Sequence, residues 1–161
     1  MKFSARHDID APAAFAFAAF ADFEGWERAG MRRGAEVVRI QSALGAGIDT
    51  TGAMWQVKFL FRGKKRTIDI RLQDISAPHR LEFLAQSPAM EATLTVEIAQ
   101  MSALRARIHV VTDVTPRTLT AKLFIQSLRL ARAKADRKYA LRIADIAADI
   151  TARYQAEGQL A

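Results

Sequence analysis

Two consecutive stretches near the C-terminus decide the fold class. Residues 104–115 read LRARIHVVTDVT, and the apolar side chains of Ala106, Ile108 and Val110 alternate there with polar ones. This period of two is typical of a β-strand with one buried face. After Pro116, residues 117–155 read RTLTAKLFIQSLRLARAKADRKYALRIADIAADITARYQ, and the period changes to three and four residues. The change predicts a strand followed by one long amphipathic helix. Its apolar stripe comprises Phe124, Leu128, Ala131, Ala135, Tyr139, Ile143, Ile146 and Ile150.

Upstream of these stretches, five further runs have the character of strands. Turn signals separate them, and we predict strands at 35–42, 51–62, 65–75, 80–87 and 91–101. The connections are short, which favours antiparallel pairing in a meander. The turn at Gly45-Ala46-Gly47 is expected to be a plain hairpin, with the edge of a cavity lid as the alternative.

The N-terminal region predicts one more strand and two short helices. Residues 2–10 alternate, and Asp10-Ala11-Pro12 then predicts a helix start with Asp10 as its cap. Asp22 is expected to cap a second short helix that ends near Gly30 or Gly34. We therefore predict an α+β fold, with a curved antiparallel sheet of about seven strands around a long C-terminal helix. The length of 161 residues suits one domain over residues 1–161.

The composition excludes several kinds of site. The chain has no cysteine, which rules out thiol nucleophiles, cysteine-ligated zinc and iron–sulfur clusters. No histidine or carboxylate motif has metal-ligand spacing, so we expect neither a metal nor a cofactor. No uncharged apolar run reaches the length of a membrane span, and the N-terminus lacks the apolar region of a signal peptide. We expect a cytoplasmic protein.

The order of elements, together with two short motifs, resembles that of the START-related superfamily. One motif is Ile9-Asp10-Ala11-Pro12, followed by Phe15, Asp22 and Trp26; the other is the helix entry at residues 119–128. This superfamily is also called SRPBCC or polyketide cyclase/dehydrase and lipid-transport-like. The resemblance covers nearly the whole chain, and it implies a helix-grip fold with an apolar cavity between sheet and helix. Its members include lipid carriers, quinone-binding proteins and aromatase/cyclases, so the fold does not choose a function.

The alternation assigns one set of side chains to the face that looks toward the long helix. A small hydrophobic ligand, whether a lipid, a quinone or an aromatic or polyketide-like molecule, would contact this set in the cavity. The alternative is that the same side chains simply fill the core. The predicted ligand-binding residues are Trp55, Val57, Phe59, Phe61, Ile70, Leu72, Phe83, Leu94, Ile108, Val110, Phe124 and Leu128.

Polar candidates for chemistry are few. His7 is the only histidine that shares the inward parity of Phe3 and Ile9, which makes it the candidate catalytic acid or base. A half-buried structural histidine is the alternative. A cyclase or dehydratase acting on an aromatic or polyketide-like substrate would need His7 or a hydroxyl such as Tyr139. The scarcity of inward polar groups favours ligand binding over catalysis.

The charge is concentrated near the C-terminus. The net charge is +7, and between Arg117 and Arg142 there are eight bases and one acid, Asp136. Lys64, Lys65 and Arg66 add a second basic group at a predicted hairpin tip. These bases predict contact with an anionic surface, either RNA or lipid headgroups, with a solvated helix face as the alternative. A second stripe of Leu119, Leu123, Leu130 and Leu141 suggests either a homodimer or a bend in the helix.

Overall fold

A single antiparallel sheet forms the frame of the protein. The computed structural model describes residues 1–41 and 52–160. The seven strands of the sheet lie in the order β1-β7-β6-β5-β4-β3-β2, which confirms the predicted α+β helix-grip class. The turn at Gly45-Ala46-Gly47 falls outside the residues described. The strands are β1 Lys2–Ile9, β2 Glu36–Gln41, β3 Met54–Phe61, β4 Lys64–Ser76, β5 Arg80–Gln86, β6 Met90–Ser102 and β7 Arg105–Pro116.

The core lies on one face of this sheet because the apolar residues alternate along each strand. Leu72 of β4, Leu81 of β5 and Ile108 of β7 have no exposed surface. They share one buried cluster with residues of the helices. Among the residues described, the buried set contains no polar or charged side chain. We call this apolar face of the sheet the inner face.

Two short helices follow β1, as predicted. They are α1, Ala13–Phe20, and α2, Phe23–Arg32. Asp22 caps α2, and its Oδ1 accepts a hydrogen bond from the backbone N–H of Gly25 at 3.1 Å. The predicted cap of α1 was wrong. Asp10 faces Arg105 at 3.4 Å instead, and the free N–H of Ala13 donates to Oε1 of Gln100 at 2.7 Å, so a side chain of β6 satisfies the helix start.

The C-terminal helix is divided, which corrects the continuous helix predicted for 117–155 and agrees with the bend that the second leucine stripe suggested. Helix α3 spans Leu119–Leu130 and α4 spans Arg132–Leu160. Ala131 separates them with φ −106° and ψ 35°, outside the helical region. The two parts contact different regions of the sheet, since α4 packs mainly along β1 and α3 contacts β7. Within the described ranges, no helix is both long enough and apolar enough to cross a bilayer.

Candidate ligand-binding site

A row of apolar side chains crosses the inner face at mid-sheet. The strand register places Leu72 beside Phe83, Phe83 beside Leu94, and Leu94 beside Thr112. On β3 and β4, Trp55 lies beside Ile70, and Val57 and Phe59 follow on the same face. These neighbours are not all equally covered. A subset of the predicted ligand-binding residues keeps part of its surface accessible, namely Val57, Phe59, Ile70, Phe83, Leu94, Phe124 and Leu128.

Of the five other predicted ligand-binding residues, four are covered, and the fifth, Phe61, lies at the edge of the site. Leu72 and Ile108 are fully covered, Val110 is 2% exposed and Trp55 is 6% exposed. A side chain without accessible surface borders no space that a ligand could occupy. In this conformation, therefore, Leu72 and Ile108 belong to the core, which corrects their prediction as ligand contacts. Both lie in one cluster with Ala147 and Ile150 of α4.

At the other end of the inner face, α3 meets the β3–β4 hairpin and forms a rim. The rings of Phe61 and Phe124 meet edge to face at 5.9 Å between centroids. The guanidinium of Arg62 lies 4.7 Å from the Phe124 centroid and 5.6 Å from that of Phe61. Such cation–π contacts favour this closed arrangement. Phe61 is 41% exposed, so it lies at the rim and not within the site.

One polar pair borders the apolar row. The hydroxyls of Thr112 on β7 and Tyr139 on α4 are 2.9 Å apart, and the ring of Tyr139 stacks on Phe3 with centroids 5.5 Å apart. Burial raises the pKa of the Tyr139 hydroxyl above its ordinary 10.0, and the hydrogen bond with Thr112 reduces this effect. The hydroxyl therefore stays neutral near pH 7, where it can both donate and accept a hydrogen bond. Tyr139 was a sequence candidate, whereas Thr112 was missed because a threonine in a strand carries no distinguishing signal.

Helix α2 covers the side of the site next to β3. The ring of Phe23 packs edge to face against Trp55 at 5.1 Å and against Phe83 at 6.3 Å. Oε1 of Glu27 accepts from the indole N–H of Trp55 at 2.8 Å and from Arg39 at 2.7 Å. Sequence reasoning missed Glu27, because an acid on an amphipathic helix ordinarily lies in solvent.

His7 does not lie in the site. It pairs with Ile108 on the predicted face, but its side chain is exposed, so the expectation of a half-buried histidine was wrong. Phe3 and Ile9, on the same face of this strand, are buried, so the exposure is particular to the position of His7.

Two surface depressions lie away from the inner face. One, of about 550 Å³, is bordered by residues of the β6–β7 turn and of the end of α4, including Leu104 and Tyr154. The other, of about 340 Å³, lies beside Asp69 and Pro88. Neither contains any predicted ligand-binding residue. Within the part of the chain that the structure describes, no three histidine or carboxylate side chains are grouped to hold a metal.

The basic residues predicted to meet an anionic surface are exposed. Lys64, Lys65 and Arg66 begin β4 at the rim, and Lys65 pairs with Glu36 at 3.6 Å. The bases of α3 and α4 are likewise on the surface.

Comparison with known proteins identifies the fold through structure alone. No protein-family model matches the sequence, and no curated protein matches it. Among solved structures, the Zhui aromatase/cyclase from Streptomyces sp. R1128 is similar over 98% of each chain, with 14% identity and a TM-score of 0.69. A conserved protein from Geobacillus kaustophilus is similar over 95% of this chain and 94% of its own, with 12% identity and a TM-score of 0.65. A START superfamily protein from Mycobacterium smegmatis is similar over 85% of this chain and 95% of its own, with 12% identity and a TM-score of 0.54. Together with the seven-stranded sheet and the long helix α4, these similarities show that the chain has the helix-grip fold of these structures.

Proposed function

We propose that residues 1–161 form one START-like domain that binds a small, mainly apolar molecule between the inner face and the C-terminal helices. One observation carries the proposal. Phe83 and Leu94 lie at the middle of the sheet, on its core face, yet both keep accessible surface. Side chains in such a position are normally covered, and an apolar molecule that covers them gains about 25 cal/mol for each Å² removed from water.

The surroundings restrict the chemistry of the ligand. No charged or polar side chain is buried in the described part of the core, which disfavours a charged molecule. Thr112 and Tyr139 offer one neutral hydrogen-bonding point at the border of the apolar row. The best match is a lipid, a quinone or an aromatic or polyketide-like molecule with an apolar body and a single carbonyl or hydroxyl group.

Native mass spectrometry of the purified protein, followed by organic extraction, tests the proposal. We expect an adduct of a few hundred daltons that partitions into the organic phase. If no adduct is found, the protein is titrated with N-phenyl-1-naphthylamine, an uncharged apolar fluorescent probe. Saturable binding of the probe that Leu94→Trp abolishes supports the site. Absence of both the adduct and saturable binding contradicts it.

A cyclase or dehydratase activity on an aromatic or polyketide-like substrate is the second candidate. The Thr112–Tyr139 pair favours it, because a neutral hydroxyl can orient a carbonyl group or donate a proton to it. The similarity to an aromatase/cyclase agrees with this chemistry but extends only to the fold. Turnover of such a substrate by the wild type, lost in Tyr139→Phe while binding persists, would establish the enzyme. Binding without turnover leaves the carrier as the function.

A further inference from the structure

Helix α3 is apolar on two opposite sides. Ala121 and Ile125 are buried toward the sheet. Leu119, Leu123 and Leu130 are 74, 59 and 92% exposed and fall within about 40° of one another around the helix axis. We call these three side chains the leucine ridge. It lies on the far side of α3 from Ala121 and Ile125, so the fold itself leaves the ridge in water.

Positive charge borders one side of the leucine ridge directly and lies beyond its other side on the β3–β4 hairpin. Lys122 and Arg129 share one border of α3, within about 20° of each other around its axis. The opposite border carries Thr120 and Ser127 and leads through Phe124 to the β3–β4 hairpin, whose bases are Arg62, Lys64, Lys65 and Arg66. The one acid among residues 117–142, Asp136, is already paired with Arg132 at 3.0 Å.

This charge pattern disfavours a second copy of the chain on the ridge. In a two-fold antiparallel pairing of α3 with itself, the bases of one border face the same bases of the other copy. Thr120 and Ser127 offer no negative charge in compensation. A partner for this surface must therefore combine negative charge with an apolar layer.

We propose that the leucine ridge docks on an anionic phospholipid membrane. The leucines enter the acyl boundary, while Lys122, Arg129 and the hairpin bases meet the headgroups, as in interfacial amphipathic helices. At the hairpin tip, Phe61 contacts Phe124 of α3 and is 41% exposed, so it adds a second apolar element beside the helix. Two adjoining elements of this kind suit a broad lipid surface better than a single peptide groove. The docked state also brings the Phe61–Phe124 rim of the proposed ligand site to the bilayer, an implication that rests on the proposed function.

Sedimentation with vesicles tests the docking. Vesicles of phosphatidylcholine with about 30% phosphatidylserine are compared with vesicles of phosphatidylcholine alone. We expect binding to the anionic vesicles only. Leu119→Ser, Leu123→Ser and Leu130→Ser combined should lower the partition coefficient about 100-fold or more. Lys122→Gln with Arg129→Gln should lower it about 25-fold. Leu104→Ser is the matched control, because Leu104 is 61% exposed at the opposite end of β7, and it should change nothing.

Three results from the vesicle and ultracentrifugation experiments would overturn the proposal. They are the absence of vesicle binding, vesicle binding that the leucine substitutions leave intact, and a wild-type dimer in analytical ultracentrifugation that the same substitutions dissociate without any vesicle binding. Binding to RNA in place of vesicles, sensitive to the base substitutions but not to the leucine substitutions, would also overturn it. Leu94→Trp should still bind vesicles, so a failure of the ligand site and a failure of docking give different results.

Discussion

The indole N–H of Trp55 donates to Oε1 of Glu27 at 2.8 Å and joins β3 to α2. Trp55 is 6% exposed, so no water readily replaces this acceptor. The same carboxylate pairs with Arg39 at 2.6 Å. No residue of α2 is buried, and this hydrogen bond and the contact of Phe23 with Trp55 join the helix to β3, in addition to its contacts with β2.

Glu27→Ala should therefore destabilise the protein by about 1–3 kcal/mol, because it leaves a buried donor unsatisfied. Urea unfolding measures the change. Glu24→Ala is the matched control on the same helix, since Glu24 is 76% exposed and lies 3.9 Å from Arg28. We expect the control to change stability by less than about 0.5 kcal/mol. Equal effects of the two substitutions would show that the Trp55 hydrogen bond is not what attaches α2.

The raised pKa of Tyr139 predicts a loss of stability at alkaline pH. As the pH rises past the ordinary value of 10.0, tyrosine ionises first in the unfolded chain, while burial keeps Tyr139 protonated in the native state. The stability is fully present below that pH and decreases as the pH rises toward the native pKa. Urea unfolding between about pH 8 and pH 11 should show this decrease. Tyr139→Phe should flatten it, and identical slopes would contradict the assignment.

Leu94 is where the ligand site can be filled without disturbing the core. Its side chain lies between Phe83 and Thr112 and keeps accessible surface. Leu94→Trp should therefore occupy the site and reduce ligand binding by at least tenfold, as a rough expectation from the lost apolar area. Thr95→Trp, one residue along β6 on the opposite face, is the control and should bind normally. Titration with the fluorescent probe compares the two variants.

Shortening the side chain of Leu72 should lower the stability of the protein and leave its ligand affinity nearly unchanged. Leu72→Ala removes a fully covered side chain and should cost about 2–5 kcal/mol in urea unfolding. The folded fraction should keep its ligand affinity within about threefold, a difference below 1 kcal/mol. Leu104→Ala, at an exposed site, should leave stability nearly unchanged. A selective loss of ligand affinity in Leu72→Ala would show that Leu72 contacts the ligand.

The strands could be predicted from the sequence because each carries a clear alternation, and most predicted bounds agree with the structure to within one or two residues. The second leucine stripe allowed a bend in the C-terminal helix, but the position of the break at Ala131 could not be predicted, since alanine is the best helix former and no proline or glycine marks it. His7 shows a similar limit, because parity predicts the face on which a side chain lies but not how far it is covered there. The hydrogen bond between Glu27 and Trp55 depends on how α2 packs on β3. The periodicity of the sequence does not predict a contact between two separate elements.

The break at Ala131 also means that the C-terminal helices need not open together. Helix α4 buries Ile143, Ala147 and Ile150, whereas the 12-residue α3 buries only Ala121 and Ile125. Amide hydrogen exchange should therefore be faster in α3, through local opening, and should approach the rate of global unfolding in α4. A molecule could then enter or leave the inner face through the transient release of α3 alone, and its exchange rate would follow the local stability of that helix and not the stability of the whole protein.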